Sequence, residues 1–572
     1  MFNGYSACEN FCAWLFTPEH KGFTAIAHNM KGFDGQFIMA WILKQGMTPD
    51  VIPNGGLIMS ILHPSLKIRI IDSLNFLPMP LSKIPDCFGF KELRKGYFPH
   101  LLILNKTKIT KEPFLKPDFT VLILWDQQSD VDILRRCCLE FRGQFQEITQ
   151  VDPFQYVTIA SACMAVFRSL HVTPNTIAMV PIHGYVNDIR YSPDSIRWLD
   201  FVSHNENIVI LHALNGTEEE KSTTSKVFEV PFLQDRLNPR DAFFGGRTNA
   251  LKLFYEGSAK YVDFTSLYPW VNKYCVYPIG HPEIITKDFK DVDSYFGLIL
   301  CRVIPPRALY LPVLPYRCQG KLMFPLCRTC TENMQQTICT HSDEERALTG
   351  TWVSEEVKLA KRKGYIIAEI YEVYHFPSTS DCLFKHYIDL FLKIKQESSG
   401  WPRECETPSQ KKNTYITRYK LREGITLDEN NICKNPGRRQ VAKLALNSFW
   451  GRLKIYICLR KKWQRFSGNL VKDFVKQDTS TNIFIAAFTT AWARLKLYQE
   501  MDKLGENVLY HDTDSIIYAS DGMNDPPLGN FLGEFTDELE GDEITTFVSG
   551  GPKIMAIKPK MVRLAAKFVD SR

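Results

Sequence analysis

The stretch "YHDTDSIIY", residues 510–518, sets Asp512 and Asp514 two positions apart in a run that otherwise reads as a β-strand. Neither aspartate favours a strand, and two like charges on one face repel. A nearby cation must offset them, or the pair sits at an exposed turn. The question is what else in the chain could share that face.

Two other segments answer it. In "YVDFTSLYP", residues 261–269, Asp263 falls late in a strand, and period 2 puts Tyr261 and Asp263 on one face. If this strand neighbours the one at 510–518, three carboxylates converge, which is costly without a cation. Oxygen-only ligands suit Mg²⁺, which keeps waters and takes further ligands from phosphates. In "NPGRRQVAKLALNSFWG", residues 435–451, the pattern predicts a helix that starts after Pro436–Gly437 and stops near Gly451. Arg439, Lys443 and Asn447 fall at i, i+4 and i+8 on one stripe, with Val441, Leu444, Ala445 and Ser448 opposite for packing. Such a stripe could grip a triphosphate, the arginine as a fork and the lysine as a point charge. A lone Asp-x-Asp is usually a turn and a lone cationic stripe usually a solvated face. Together, an acidic metal site and a cationic helix are the equipment of two-metal nucleotidyl transfer.

The bulk numbers bound the rest. At 572 residues the chain is too long for one core, and three or four domains are expected. Hydrophobic content of 45% and charged content of 23% fit a folded soluble protein, and a net charge of +6 suits an anionic partner without deciding it. The sixteen cysteines show no framework spacing, and "MFNGYSACENFCAWLF" lacks the features of a signal peptide; the thiols read as mostly reduced and intracellular. The longest apolar run, "NIFIAAFTTAWARLKLY" (482–498), carries Arg494 and Lys496 and is too short to span a bilayer comfortably, so no membrane role is expected.

Strand-like runs ("FTAIAHN", "LKIRIIDSLNF") alternate with helical ones ("DGQFIMAWILKQG") over the first ~140 residues, as in a small α/β domain. A helix over "DVDILRRCCLEFRGQF" closes it. A further helix is expected at roughly 482–504, where Phe484, Phe488, Ala491, Leu495 and Tyr498 recur with helical spacing before a stop at Gly505.

"DFTSLYP", "KLALNSFWG" and "YHDTDS" resemble motifs A, B and C of family B DNA polymerases, in order and nearly complete. The surrounding wording resembles the protein-primed branch, and within it the polymerases of Polinton/Maverick transposons; "IAHNMKGFDGQFIM", "IDSLNFLPMPLSKIP", "DVDILRR", "HSDEERALTGTW" and "DPPLG" carry that closer likeness. The resemblance runs from residue 1 to about 555. It implies an α/β and α+β multidomain fold, an RNase H-like exonuclease-type domain followed by a right-hand polymerase of palm, fingers and truncated thumb. On that template residues 1–145 are a degenerate 3′-5′ exonuclease-like domain, 146–245 a connecting region and 246–280 the first palm part. Residues 281–425 are an insertion like a terminal-protein region, 426–455 the fingers, 456–550 the second palm part and 551–572 the start of the thumb.

The resemblance further implies a DNA-directed DNA polymerase acting on primer-template DNA and deoxynucleoside triphosphates, with a terminal protein as primer. Asp263 and Asp514 would hold two Mg²⁺ ions, with Asp512 assisting. Tyr268 would lie beneath the incoming sugar and Lys443, with Arg439, at the triphosphate. Asn447 would sit near the nascent base pair and Tyr510 at the primer terminus. "FFGGR" (243–247) resembles the glycine motif that touches template, which puts Gly245, Gly246 and Arg247 at DNA, and Lys553 in "GGPKIMAIK" stands where the thumb-side Lys-x-Tyr is usual. The alternative is a decayed polymerase derivative that binds DNA without activity.

The chain departs from the pattern in places. The second nuclease motif is present as Asn29 and Asp34, and Asp130 stands in the third, but Asp126 replaces its tyrosine and the first Asp-x-Glu is missing; the nuclease is expected to be inactive. Met555 replaces the tyrosine of Lys-x-Tyr, the chain stops at Arg572 where the family carries a longer thumb, and the segment between motifs B and C is short; processivity is expected to suffer. Finally, Cys327, Cys330, Cys339 and His341 in "CRTCTENMQQTICTH" form either a structural zinc set or a group of reduced, unliganded thiols.

Overall fold

The computed structural model describes residues 6–54, 56–90, 117–178, 236–402, 409–449 and 482–560, with isolated positions between. Outside the described residues lie the Asp126 side chain, Trp450 and Gly451, the segment 451–481 between motifs B and C, and residues 561–572 of the expected thumb. The chain forms two compact units, each built from two stretches. One unit is Met1–Thr173 with Phe384–Lys476, the other Pro174–Leu383 with Gln477–Arg572. The stretch 281–425, read from sequence as one insertion, therefore divides at residue 383. No described helix is long and apolar enough to cross a membrane.

In the first unit, β1 (Thr24–Ala27), β2 (Asp50–Asn54), β3 (Leu57–Leu62) and β4 (Arg69–Asp72) form a sheet in the order β1-β4-β3-β2. Only the β1–β4 pair is parallel; β2–β3 and β3–β4 are antiparallel. The helix Asp34–Lys44 lays Ile38 and Ile42 on this sheet, against Ile58, Ile61 and Ile70. The helix expected over 130–145 is part of a longer one, Pro117–Thr149. In the same unit, the helix Pro436–Ser448 starts where Asn435 accepts a hydrogen bond from the Arg438 amide and Pro436 presets the first turn. It packs on the helices Lys385–Glu397, Ile84–Phe88, Pro117–Thr149 and Ile159–Leu170. Its buried face is Val441, Leu444, Ala445 and Leu446, as the spacing requires. The Tyr387 hydroxyl donates to the Ala445 carbonyl, and its ring stacks on Phe449.

The second unit has two main sheets. In chain order its strands are β5 (Thr248–Ala250), β6 (Phe254–Phe264), β7 (Tyr277–Pro278), β8 (Glu283–Ile285), β9 (Gly297–Ile304), β10 (Tyr316–Cys318) and β11 (Lys321–Met323). These are followed by β12 (Leu348–Val353), β13 (Ile366–His375), β14 (Thr379–Ser380), β15 (Val508–Asp512), β16 (Ser515–Ala519), β17 (Phe535–Asp537), β18 (Ile544–Gly551) and β19 (Ile554–Pro559). One sheet runs β12-β9-β13-β8. The larger runs β19-β18-β6-β16-β15-β5, with β17 also pairing with β6. The expected helix near 482–504 is Ile483–Leu504, packed on β16 and on the helix Leu267–Tyr274. It is buried nearly all round, wider than the stripe its spacing suggests, because elements cover it on several sides.

One expectation is corrected. "YHDTDSIIY" is not a single strand but a hairpin, β15 ending at Asp512 and β16 beginning at Ser515. Thr513 takes a left-handed φ of 58°, and the Asp514 amide donates to the Asp512 carbonyl at 2.6 Å. Asp512 thus ends one strand and Asp514 lies in the tight turn, rather than the two sharing a strand face, and the turn relieves the strand's poor tolerance of them.

Candidate functional site

The large sheet brings the acidic segments together. β16 lies antiparallel beside β6 with Ser515 opposite Asp263, and the Phe264 amide donates to the Asp514 carbonyl at 2.8 Å. The backbones at Asp263 and Asp514 therefore lie one strand spacing apart, both residues half-buried, although about 250 residues separate them in the chain. Burial, and then the neighbouring Asp512 charge, push the Asp514 carboxyl up to about 6. Asp512 accepts hydrogen bonds from the hydroxyls of Thr248 (2.5 Å) and Thr513 (3.2 Å). Thr248 follows the glycine turn directly and was not singled out from sequence; its signal is only its place on β5, which pairs with β15.

Tyr268 sits in the first turn of the helix Leu267–Tyr274, which Ser266 enters with a left-handed φ of 56°. Its hydroxyl is pushed up to about 12 by burial and then by the Asp514 charge. Tyr510, buried on β15, accepts a hydrogen bond at its hydroxyl from the Lys553 amide at 2.9 Å. Lys553 stands at the β18–β19 turn with φ 65°, and its positive charge acts on Asp514.

The glycine turn lies directly behind Thr513. The Thr513 amide donates to the Arg247 carbonyl at 2.8 Å, and a Cβ built on Gly246 would meet the Thr513 side chain at 2.6 Å. Only glycine fits there without movement. Gly246→Ala is expected to destabilise this unit by about 1–3 kcal/mol, read as a lower denaturation midpoint. Adding Thr513→Gly should restore part of the loss, and no recovery would show that the two do not clash. Arg247 requires a correction. Its side chain is only 3% exposed, donates to the Pro312 carbonyl at 2.6 Å and lies over the rings of Phe324 and Tyr498. Burial lowers its pKa to about 10. A guanidinium so enclosed cannot reach a DNA phosphate; it holds the turn. The adjacent His511, wholly buried beside it, is pushed down to about 3 by burial and by the Arg247 charge.

In the first unit, Arg439, Lys443 and Asn447 are exposed along one stripe of the helix Pro436–Ser448. Arg439 donates to the Ser399 hydroxyl at 3.0 Å. Lys395, on the helix Lys385–Glu397, has its pKa lowered by burial and by the charges of Arg439 and Lys443. It is a third cation of this patch that the sequence reading missed, since it comes from another helix.

The expected nuclease residues sit in the same unit. Asn29 has φ 63°, and its amide and that of Lys31 donate to the buried Asp72 carboxylate. Asp34 opens its helix, its carboxyl raised by burial and by Asp72. Asp130 is carried by the helix Pro117–Thr149.

Cys327, Cys330, Cys339 and His341 converge in the second unit, with one ligand atom from each within 4.8 Å of all the others. All four belong to a single short segment around the helix Arg328–Glu332.

The motif strands on one antiparallel sheet and the glycine turn behind them define a polymerase palm. Residues 18–129 and 127–402 match the family model described as DNA polymerase type B, organellar and viral, and the chain belongs to that family. A "Probable DNA polymerase" of Neurospora intermedia is 23% identical over 597 residues, covering 94% of this chain and 52% of its own length. One from Podospora anserina is 25% identical over 519 residues, covering 83% of this chain and 37% of its own length. The chain thus spans about half of these relatives or less. Among solved structures, phi29 DNA polymerase in an orthorhombic crystal form aligns with a TM-score of 0.60 over 96% of this chain and 81% of its own, at 17% identity. Its ternary complex with primer-template DNA and incoming nucleotides aligns at 0.59 and 18% identity. The shared fold is the RNase H-like and right-hand polymerase architecture expected from the motifs.

Proposed function

We propose that the chain is a template-directed DNA polymerase. The observation that carries this is the pairing of β6 with the β15–β16 hairpin, which sets Asp263 beside Asp514. In the reaction a primer 3′-hydroxyl attacks the α-phosphate of a deoxynucleoside triphosphate, the P–O bond to the β-phosphate breaks and pyrophosphate leaves. Asp263 and Asp514, with Asp512 assisting, are an oxygen-only donor set that suits two Mg²⁺ ions, and the burial of Asp514 beside the Asp512 charge fits a site awaiting cations. Held by these carboxylates, such ions would supply charge that favours ionisation of the primer hydroxyl and steadies the leaving oxygen.

The remaining roles belong to the protein. Tyr268 lies beneath the incoming sugar, where a 2′-hydroxyl would meet its ring. Tyr510 acts on the primer end through Lys553, whose amide it fixes. The backbone at Gly245 and Gly246 approaches template, while Arg247 stays structural. Arg439, Lys443 and Lys395 receive the triphosphate, and Asn447 the nascent base pair. Relief of repulsion among three cations adds to triphosphate affinity, so Lys395→Met is expected to raise KM for nucleotide about tenfold with a smaller change in kcat. An unchanged KM would remove Lys395 from the site. The likeness of "IAHNMKGFDGQFIM" and its companions supports protein-primed replication of a mobile element, with a terminal protein docking on the chain. The four ligands Cys327, Cys330, Cys339 and His341 suit a structural zinc.

Extension of a primed template by the purified chain tests the reading. The incorporated base should follow the template and require Mg²⁺. Binding of DNA without incorporation would leave a non-enzymatic derivative instead. Digestion of a single strand that persists after Asp263→Asn would give the nuclease-like unit the role this proposal withholds.

A further inference from the structure

The Cys/His cluster is arranged around one atom. The sulfurs of Cys327, Cys330 and Cys339 lie 3.6, 3.3 and 3.6 Å from His341 Nδ1. A neutral imidazole nitrogen offers one lone pair or one proton, so it cannot satisfy three thiols by hydrogen bonding. With zinc–sulfur and zinc–nitrogen bonds of about 2.3 and 2.0 Å, a tetrahedral ion sets each sulfur roughly 3.5 Å from the nitrogen. The observed spacings match that value on all three arms. The backbone is fixed as well: Arg307 donates to the His341 carbonyl, and Arg346, itself 3% exposed, donates to the carbonyls of Pro305, Pro306 and Leu326.

The cluster is joined to the hairpin β10–β11. The Cys318 thiol donates to the Thr331 carbonyl at 3.7 Å, and the Tyr316 hydroxyl donates to Glu332 at 3.0 Å, both acceptors lying on the helix that follows Cys327. The hairpin in turn grips the glycine turn. Arg317 donates to the carbonyls of Asp241 and Phe243 and lies over the Phe244 ring. Phe324, just past β11, takes the Arg247 guanidinium on its face at 4.4 Å. Beyond Arg247, its carbonyl receives the Thr513 amide, and Thr248 holds Asp512.

We propose that the bound zinc is the anchor of a brace that runs through β10–β11 to the glycine turn and so fixes the position of the turn at Thr513. This goes beyond local support of the knuckle: the metal positions the acidic hairpin from a distance, without touching substrate. It rests on the reading of the four ligands as a zinc site, and not on the polymerase reading.

The test uses the full purified chain and two readouts. Metal analysis should find about one zinc per chain, lost in Cys330→Ser/Cys339→Ser. Hydrogen exchange should then speed up over residues 241–248 and 316–324 by about tenfold or more when zinc is stripped from the unaltered chain, with β1–β4 unmoved. Arg317→Met, which leaves the ligands alone, should speed exchange at 241–248 while zinc content stays. Absence of zinc after expression and reconstitution overturns the site. Zinc present, with exchange at 241–248 indifferent to its removal and to Arg317→Met, overturns the brace alone. Neither readout depends on whether the chain extends a primer.

Discussion

Asp514→Asn is expected to cut Mg²⁺-dependent primer extension by about a thousandfold or more and, in a metal chelator near neutral pH, to raise the thermal midpoint. Both effects come from one carboxylate. Asp514 loses solvent and faces Asp512, so its pKa is raised to about 6 from its ordinary value of 3.8. A raised acid pKa means that the folded state disfavours the charge. Between those two values the folded chain binds more protons than the unfolded one, and stability falls as pH rises; the cost is complete above the folded pKa. An asparagine carries no such cost. After discounting for solvent screening the gain is on the order of 1 kcal/mol above pH 6 and vanishes below about pH 4. Activity and melting therefore move in opposite directions, as expected when a site is built for its ligand rather than for stability. Extension within tenfold of the unaltered chain, or a midpoint lowered in chelator at both pH values, would remove Asp514 from the centre of the site.

The second large effect is structural. Arg494 and Glu356 form a two-pronged ion pair, Nε to Oε1 at 2.8 Å and the terminal nitrogen to Oε2 at 2.9 Å, with side chains only 3% and 2% exposed. The other terminal nitrogen of Arg494 donates to the carbonyls of Phe244 and Gly245. Arg494→Met leaves a buried carboxylate and two carbonyls without their partner, so a loss of about 3–5 kcal/mol is expected. Arg494→Met/Glu356→Met should recover much of it, because two apolar side chains of similar length leave no orphan charge. Urea midpoints of the two singles and the double read the coupling directly. A double variant no better than Arg494→Met would mean that the pair is not the source of the loss. The single variant should also slow extension, since it frees the carbonyls that seat the glycine turn.

Local elements were legible because their signals are local. Pro436 marked a helix start, and helical spacing marked Ile483–Leu504. The hairpin at 510–518 was misread as one strand because its turn is only two residues, Thr513 and Asp514, with no glycine or proline to punctuate it. What sequence could not supply was partnership across distance. Nothing in "FFGGR" tells that Arg247 points inward to Phe324 and Tyr498, since an arginine beside two glycines looks like a phosphate ligand. Nor does spacing reveal that Arg494, noted only as a charge in an apolar run, is neutralised by Glu356 some 140 residues earlier. Lys395 escaped for the same reason: its neighbours Arg439 and Lys443 lie on another helix. The motifs survived this blindness because each is contiguous, and their order alone carried the family.

The central strand of the larger sheet has a consequence for synthesis. Among the described residues, every strand that pairs with β6 lies at or beyond Ser515, so the hydrogen-bonding groups of β6 emerge long before those partners exist. At about 5–20 residues per second the delay is roughly 12–50 s on the ribosome. For that interval the nascent chain carries an open β edge holding Val262 and Phe264, and holdase chaperones are the natural cover for it.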